Sequence, residues 1–451
     1  MNLVNPALLT ASFAALASAA DATAAPAPEP KPAREADRRP NIIVIMTDQQ
    51  TAGALSCAGN PWVETPAMDA LAADGVRFTR AYCPYPLSGP CRASLITGRM
   101  PFETGATDNG VRPSAEALRE GIGHRLSAAG YECLYAGKWH VPEVNLPDSG
   151  TGFRRIARMG DPTLAAACDE ALAGYDGRRP LLLVASLLNP HEICEYGRHE
   201  TLQYGELAPF ATEECPNLPA NFRPSTYAAE ALTLERTASP RYHDTYTFTE
   251  DDWRRYLYAY YRFVERADRE VGRIVEVLKR RGLYDDAVIL FLSDHGDGVA
   301  AHGWNQKWNL QEEVINVPLI VKTPKGCGPR GVVNREALSN VGLDLYATLC
   351  DYAGVELDPE RYRGRSLRPV AEGRSATLHD GVFVETLLSG VGMRGWSLVG
   401  ARYKYVLYQW GRNREALYDL QQDPGEMVNL AVDRRYADEL GRMRKALYEW
   451  G

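Results

Sequence analysis

A chain of 451 residues is too long for one small core, so two domains, or one large α/β domain with an appendage, are expected. With 45% hydrophobic and 24% charged residues it has the balance of a folded globular enzyme, which excludes a fibrous or wholly disordered chain. A formal net charge of −8 argues against nucleic acid as a partner, because phosphate binding needs a clustered basic face, but it leaves room for an anionic substrate held by a few cations in a cleft.

In chain order, residues 3–20 are rich in Ala and Leu and uncharged, and Ala17-Ser18-Ala19 offers a small-residue cleavage site. A secretory leader with a mature start near Ala20 is expected, although no Lys or Arg precedes the apolar run; the chain would then be periplasmic or secreted. Residues 20–39 alternate Ala, Pro and charged residues, as a linker does. Nothing later is long and apolar enough to span a membrane.

Residues 41–46 form a continuous apolar, β-branched run ending in Thr47-Asp48-Gln49-Gln50, the pattern of a buried strand with polar residues at its carboxyl end. The pattern recurs at 131–136 before Gly137-Lys138-Trp139-His140, at 181–188 before Asn189-Pro190-His191, and at 287–292 before Ser293-Asp294-His295-Gly296-Asp297. Helical stretches over 115–129, 164–173 and 252–281 precede the last three. This alternation implies an α/β fold with a large, mostly parallel sheet sandwiched by helices, whose sites form beyond the carboxyl ends of the strands. Four strand ends therefore bring Asp48, His140, His191 and Asp294 to one edge.

Residues 197–249 are rich in Pro, Tyr and Glu, lack a clear period, and read as a long insertion shaping the edge of the site. Beyond 354, short strands at 382–385, 396–399, 404–408 and 417–418 precede a helix at 435–448, which makes a smaller C-terminal antiparallel sheet plus helix. The expected divisions are 1–39 (leader and linker), 40–370 (catalytic domain) and 371–451 (C-terminal α+β subdomain). The nine cysteines include no C-x-x-C pair, so no zinc or redox motif is indicated. Their odd number leaves at least one thiol unpaired in a monomer; export would permit some of the others to oxidise, and no pairing can be assigned.

The segment Ser88-Gly89-Pro90-Cys91-Arg92-Ala93-Ser94-Leu95-Ile96-Thr97-Gly98-Arg99 places Ser88 at the start of a helix, where free backbone N–H groups favour an anion. Arg92, one turn on, can point a guanidinium at the same place. A lone serine there is ordinarily a cap. His140 and His191 taken singly read as structural histidines, and Lys138 and Lys307 as surface lysines; their joint occurrence with the strand ends makes a site.

Ser88 to Arg99 resembles the sulfatase signature, in which Cys or Ser is followed by x-Pro-x-Arg and then Ala-Ser-Leu-x-Thr-Gly-Arg. Thr65-Pro66-Ala67-Met68-Asp69-Ala70-Leu71-Ala72 and Gly75-Val76-Arg77-Phe78 are similar to the approach to that signature, and Gly137-Lys138-Trp139-His140 to the second one. Asn189-Pro190-His191, Ser293-Asp294-His295-Gly296, Lys307 and Leu417-Tyr418-Asp419-Leu420 onward to Leu430 follow in family order, so the resemblance covers residues 40–430. It implies a formylglycine-dependent enzyme of the arylsulfatase type, in the alkaline phosphatase superfamily, acting on sulfate esters of a carbohydrate. Ser88 would be oxidised to formylglycine by a serine-type, oxygen-independent maturating enzyme. One hydroxyl of the hydrated aldehyde would attack sulfur, and the second would let sulfate leave.

The resemblance further implies catalytic roles for Ser88, Arg92 and His140, sulfate binding by Lys138, His191 and Lys307, and a divalent metal, calcium first, on Asp48, Gln49, Ser88, Asp294 and His295. Two positions depart from the family, which often has Asp where Gln49 stands and Asn where His295 stands. The first removes a negative charge; the second supplies a nitrogen that suits manganese or zinc better than calcium. A phosphodiesterase or phosphonate monoester hydrolase of the same superfamily, and a non-catalytic sulfated-glycan binder with Ser88 unmodified, are the alternatives. His302, Trp304, Asn305 and Gln306, with Arg198, His199, Arg241 and His243 of the insertion, suit sugar contact and equally an ordinary loop.

Overall fold

The computed structural model describes residues 39–142, 150–239 and 244–450. The expected leader, almost all of the linker, and Arg241 and His243 lie outside the described residues. The strands are β1 Asn41–Asp48, β2 Val76–Phe78, β3 Ala81–Tyr82, β4 Glu132–Gly137, β5 Arg154–Ala157, β6 Leu181–Pro190, β7 Ala287–Ser293, β8 Leu319–Lys322, β9 Val332–Asn334, β10 Ser339–Asn340, β11 Gly381–Leu388, β12 Met393–Gly400, β13 Tyr403–Tyr408 and β14 Glu415–Asp419.

One large sheet has the order β5-β4-β6-β1-β7-β8-β2-β9. It is mostly parallel, as expected, but β8 runs against both of its neighbours. Alternate residues of the central strands serve opposite faces, as the two-residue period requires. Ile42, Val44, Leu182 and Leu290 pack beneath the helices Ser88–Thr97 and Val341–Tyr352. Ile43, Ile45, Leu183 and Phe291 pack beneath Pro66–Ala73, Asp161–Ala173 and Glu250–Arg280. With both faces covered, the strands are apolar throughout, which is why they were visible as runs.

The helix Glu250–Arg280 starts at Thr249, whose side chain accepts from Asp252 N–H while Asp252 accepts from Thr249 N–H. Acidic residues fill its first turn and Lys279 and Arg280 its last, matching the helix dipole. The helix expected over 115–129 is instead two, Ala115–Arg119 and Ile122–Ala128, because Gly121 takes an extended conformation and starts the second. The insertion contains an unforeseen helix, Glu230–Ala238.

β11–β14 form the expected antiparallel sheet, and Leu440, Met443 and Leu447 of the helix Ala437–Trp450 pack on Phe383, Leu398 and Tyr405. Val384, Val399 and Val406 join the same core as Ile42 and Val44 of the large sheet. All nine cysteines are free thiols. Among the described residues no helix is long and apolar enough to cross a membrane.

Candidate active site

β6, β1 and β7 are adjacent and end at one edge. Asp48 closes β1, His191 follows β6, Asp294 follows β7, and β4 beside β6 delivers Lys138 and His140. Ser88 is the first residue of the helix Ser88–Thr97, and Leu87 is the cap, with no side-chain cap bond. The capping role ordinarily expected of such a serine therefore does not apply. The buried Ser88 hydroxyl lies 3.2 Å from Asp48 Oδ2 and 2.9 Å from His295 Nε2. Gly89 N–H donates to Asn109 Oδ1 at 2.8 Å, and a Cβ at residue 89 would stand 2.7 Å from that oxygen, so a larger residue would push the Asn109 side chain aside.

Arg92, only 1% exposed, spends its guanidinium inside the protein. Nε donates to Asp294 Oδ2 at 2.8 Å, Nη2 to Asp48 Oδ2 at 2.9 Å, and Nη1 to the Lys138 carbonyl at 2.8 Å and Ser186 Oγ at 2.7 Å. It therefore clamps the ends of β1, β4, β6 and β7 and holds both carboxylates. Lys138 Nζ adds an ion pair with Asp48 Oδ2 at 2.6 Å. Burial opposes the charge on Asp48, but Lys138, His191 and Arg92 together hold its pKa well below the usual carboxylate range.

Asp48, Asp294 and His295 each present a donor atom within 4.8 Å of the others. His295 Nδ1 lies 2.9 Å from the Gly296 carbonyl, which can only accept, so Nδ1 carries the proton and Nε2 turns its lone pair to the centre. Two carboxylates, this nitrogen and the oxygen of residue 88 fit a divalent cation.

Gln49 is placed differently. At φ 70 its Nε2 donates to Asp297 Oδ2 at 2.8 Å, while Oε1 accepts from Lys307 Nζ at 2.8 Å and Cys194 Sγ at 3.2 Å. A lysine can only donate and an ionised carboxylate only accept, which fixes the orientation of the amide. Its oxygen is thus on Lys307 and not among the three clustered donors.

The remaining predicted residues also gather here. His191 Nδ1 lies 3.6 Å from Glu195 Oε2 without a hydrogen bond; burial, then Lys307 and Lys138, push its pKa down to about 4. Burial likewise lowers His295 to about 4, and the protein packed around the exposed His140, with Lys138 next to it, lowers that histidine too. All three are neutral at neutral pH. Arg92, Lys138 and Lys307 bring three buried cations to these strand ends, where they can meet an anion. Arg198 is occupied by Glu195 and Glu200.

Sequence reasoning missed the residues that hold these groups. Asp297 accepts from Gln49, Tyr256 Oη, and the Val299 and Gln306 N–H groups. Tyr260 Oη donates to the Gln49 carbonyl at 2.8 Å and accepts from Thr51 N–H. Tyr256 and Tyr260 are one turn apart on the buried face of the long helix, a spacing that could have revealed them. Gln49, His140, Val299, Ala300, His302, Gln306 and Trp308 all have left-handed backbones, in loops leaving β1, β4 and β7. Such conformations persist only where the surroundings enforce them and collect at functional sites.

The family model described as Sulfatase matches residues 40–355, and that described as N-sulphoglucosamine sulphohydrolase, C-terminal, matches residues 300–450. A Delta 4,5-hexuronate-2-O-sulfatase of Bacteroides thetaiotaomicron is 29% identical, covering 93% of this chain and 90% of its own. An N-acetylglucosamine-6-O-sulfatase of the same organism is 26% identical over 99% of this chain and 90% of its own. The solved structure of a 2-O GAG sulfatase superposes with a TM-score of 0.80 at 28% identity, over 91% of this chain and 92% of that one.

Proposed function

The chain belongs to the sulfatase family of sulfuric ester hydrolases, and we propose that it removes sulfate from a sulfated carbohydrate with a formylglycine nucleophile made from Ser88. The observation that carries this reading is the buried Ser88 hydroxyl, uncommitted to its helix, set 3.2 Å from Asp48 and 2.9 Å from His295 Nε2. The sugar class follows from the relatives, whose names specify a hexuronate and an N-acetylglucosamine.

Two-electron oxidation of the Ser88 carbinol by the maturating enzyme would give an aldehyde that adds water; one hydroxyl would bond to sulfur as the S–O bond to the sugar breaks, and loss of the proton of the other would expel sulfate and restore the aldehyde. A plain serine lacks that second hydroxyl. Lys138 and Lys307 neutralise sulfate oxygens, which matters because charge moves to the bridging oxygen as the bond breaks. His140, neutral at the rim, can take the proton of the second hydroxyl. His191, also neutral and with Nδ1 unpartnered, can donate to the departing alcohol. Arg92 holds Asp48 and Asp294 in place through its two ion pairs.

A bound divalent cation would withdraw charge from the sulfate oxygens and from the residue-88 hydroxyl. We assign it to Asp48, Asp294, His295 and residue 88, with calcium first and manganese or zinc favoured by the His295 nitrogen. Gln49 would join only by releasing Lys307. Maturation by a serine-type sulfatase-maturating enzyme and export to the periplasm or medium belong to the same proposal.

The test is co-expression with a serine-type maturase, the mass of the Ser88 peptide, and activity on a panel of sulfated mono- and oligosaccharides plus a phosphonate monoester. Desulfation confined to protein whose Ser88 peptide is two hydrogens lighter is expected. Full turnover by unmodified protein would sink the mechanism, and faster turnover of the phosphonate would favour the neighbouring activity.

A further inference from the structure

The helix Glu230–Ala238 is fixed by its buried Glu235, which accepts the N–H groups of Gly390 and Val391 at 3.1 Å each, in the turn between β11 and β12. Between this helix, the segment before it and the loop after β7 lies a cavity of about 380 Å³, within the range of small-ligand sites. Leu232 and Trp304 supply an apolar wall, and Ser225 and Gln311 supply polar groups. Arg236 also lines the cavity, and its Nη1 lies beside Gly303, 3.6 Å from where a Cβ would stand.

Arg236 is half-buried, yet among the described residues its guanidinium meets no carboxylate and makes no hydrogen bond; only burial acts on it, lowering its pKa. Three other half-buried arginines of the same region are paired: Arg198 with Glu195, Arg254 with Asp251, Arg266 with Glu192. A partly desolvated cation without a counter-charge is costly unless an anion arrives from outside. One wall of the cavity is tied to the segment that carries Lys307. Its wall residue Trp304 donates Nε1–H to the Lys307 carbonyl at 3.1 Å, and Thr245, shortly after the helix, donates to Asn305 Oδ1 at 2.6 Å.

We propose that this cavity is a subsite for an anionic sugar unit, one whose carboxylate or second sulfate pairs with Arg236 while the neighbouring unit presents its sulfate ester to residue 88. The inference rests on the sulfatase reading. A guanidinium matches either oxyanion with two parallel hydrogen bonds, Leu232 and the edge of Trp304 take the C–H face of the ring, and Ser225 and Gln311 reach its hydroxyls.

Three disaccharides with the same sulfated hexosamine test it, the second ring being a glucuronate, a sulfated hexose or neutral glucose. In matured full-length protein Arg236→Gln should raise KM roughly tenfold or more for the two dianionic substrates, the worth of one charged hydrogen bond, with kcat little changed. The loss should be much smaller on the glucose compound and on nitrophenyl sulfate, and Arg236→Lys should recover part of it. Whichever dianionic substrate loses more identifies the anion. Equal losses on all four substrates, or none on the dianionic pair, would overturn the proposal. Calorimetry with the desulfated glucuronate disaccharide removes chemistry from the question. Weaker binding to Arg236→Gln is expected; no binding to the unaltered chain, or equal binding to both, refutes the subsite. Failure of the sulfatase reading would instead appear as no nitrophenyl sulfate turnover with this binding intact.

Discussion

His295 Nε2 lies 2.9 Å from Ser88 Oγ, while Nδ1 of the same ring faces the Gly296 carbonyl at 2.9 Å. The ring can thus give the centre a lone pair and no proton. An asparagine would offer an oxygen instead. His295→Asn is therefore expected to retain activity and to shift metal preference further toward calcium. Metal content and activity after reloading the stripped protein with each ion would check this. Loss of activity with every ion, despite normal metal content, would mean that the imidazole does more than donate.

Arg92 makes four hydrogen bonds, two to residues within strands and two to residues just past strand ends, all of them buried. Removing it leaves Asp48 with Lys138 alone and Asp294 without a side-chain cation. Arg92→Ala should cost about 3–5 kcal/mol of stability, as breaking a buried ion pair does. Urea unfolding measures that cost, and a midpoint unchanged from the parent would contradict the clamp. Arg92→Lys should restore charge but not the fork, and so recover only part.

The site was legible where one strand carries its own residue. Asp48, Lys138, His191 and Asp294 each follow a mostly apolar run, and parallel pairing puts such ends together. Arg92 was placed near Ser88 by its one-turn spacing, but its partners come from segments remote in sequence. Gln49 was read as a metal ligand because it stands where the family often has an Asp. Its left-handed backbone turns the side chain instead to Asp297 and Lys307, a direction no linear pattern encodes. The helix Glu230–Ala238 escaped notice because it is held by the buried charge of Glu235 and not by an apolar stripe. The reversed direction of β8 was likewise invisible, since so short a strand, three apolar residues and Lys322, carries no sign of its sense.

Stability should depend on pH partly through His302. Burial, then Lys404, lowers its pKa to about 4 from an ordinary 6.5. Between those values the unfolded chain binds a proton that the folded chain refuses, so stability falls as pH falls through this window. Asp161, Asp268 and Asp297, raised by burial to about 6, act in the opposite sense below that pH. The difference between the parent and His302→Asn isolates the histidine. Between pH 7 and 5 the variant should lose about 2 kcal/mol less than the parent. Parallel stability curves for the two proteins would show that His302 titrates alike when folded and unfolded.

The last expectation separates departure of the alcohol from binding of the sulfate. His191 is neutral, with its pKa pushed down to about 4, and the neutral ring keeps one N–H that can donate to a leaving oxygen. An aryl sulfate carries the developing negative charge on its own leaving group, whereas a sugar alkoxide does not. His191→Ala should therefore reduce kcat/KM far more on a sugar sulfate than on nitrophenyl sulfate. Arg92→Ala should reduce both alike, because Arg92 touches Asp48, Asp294, Ser186 and the Lys138 carbonyl and reaches no leaving group. Ser88 conversion must be checked by mass in each variant, since Arg92 also stands in the maturation signature. An equal loss on both substrates in His191→Ala would remove His191 from leaving-group assistance and confine it to holding the sulfate.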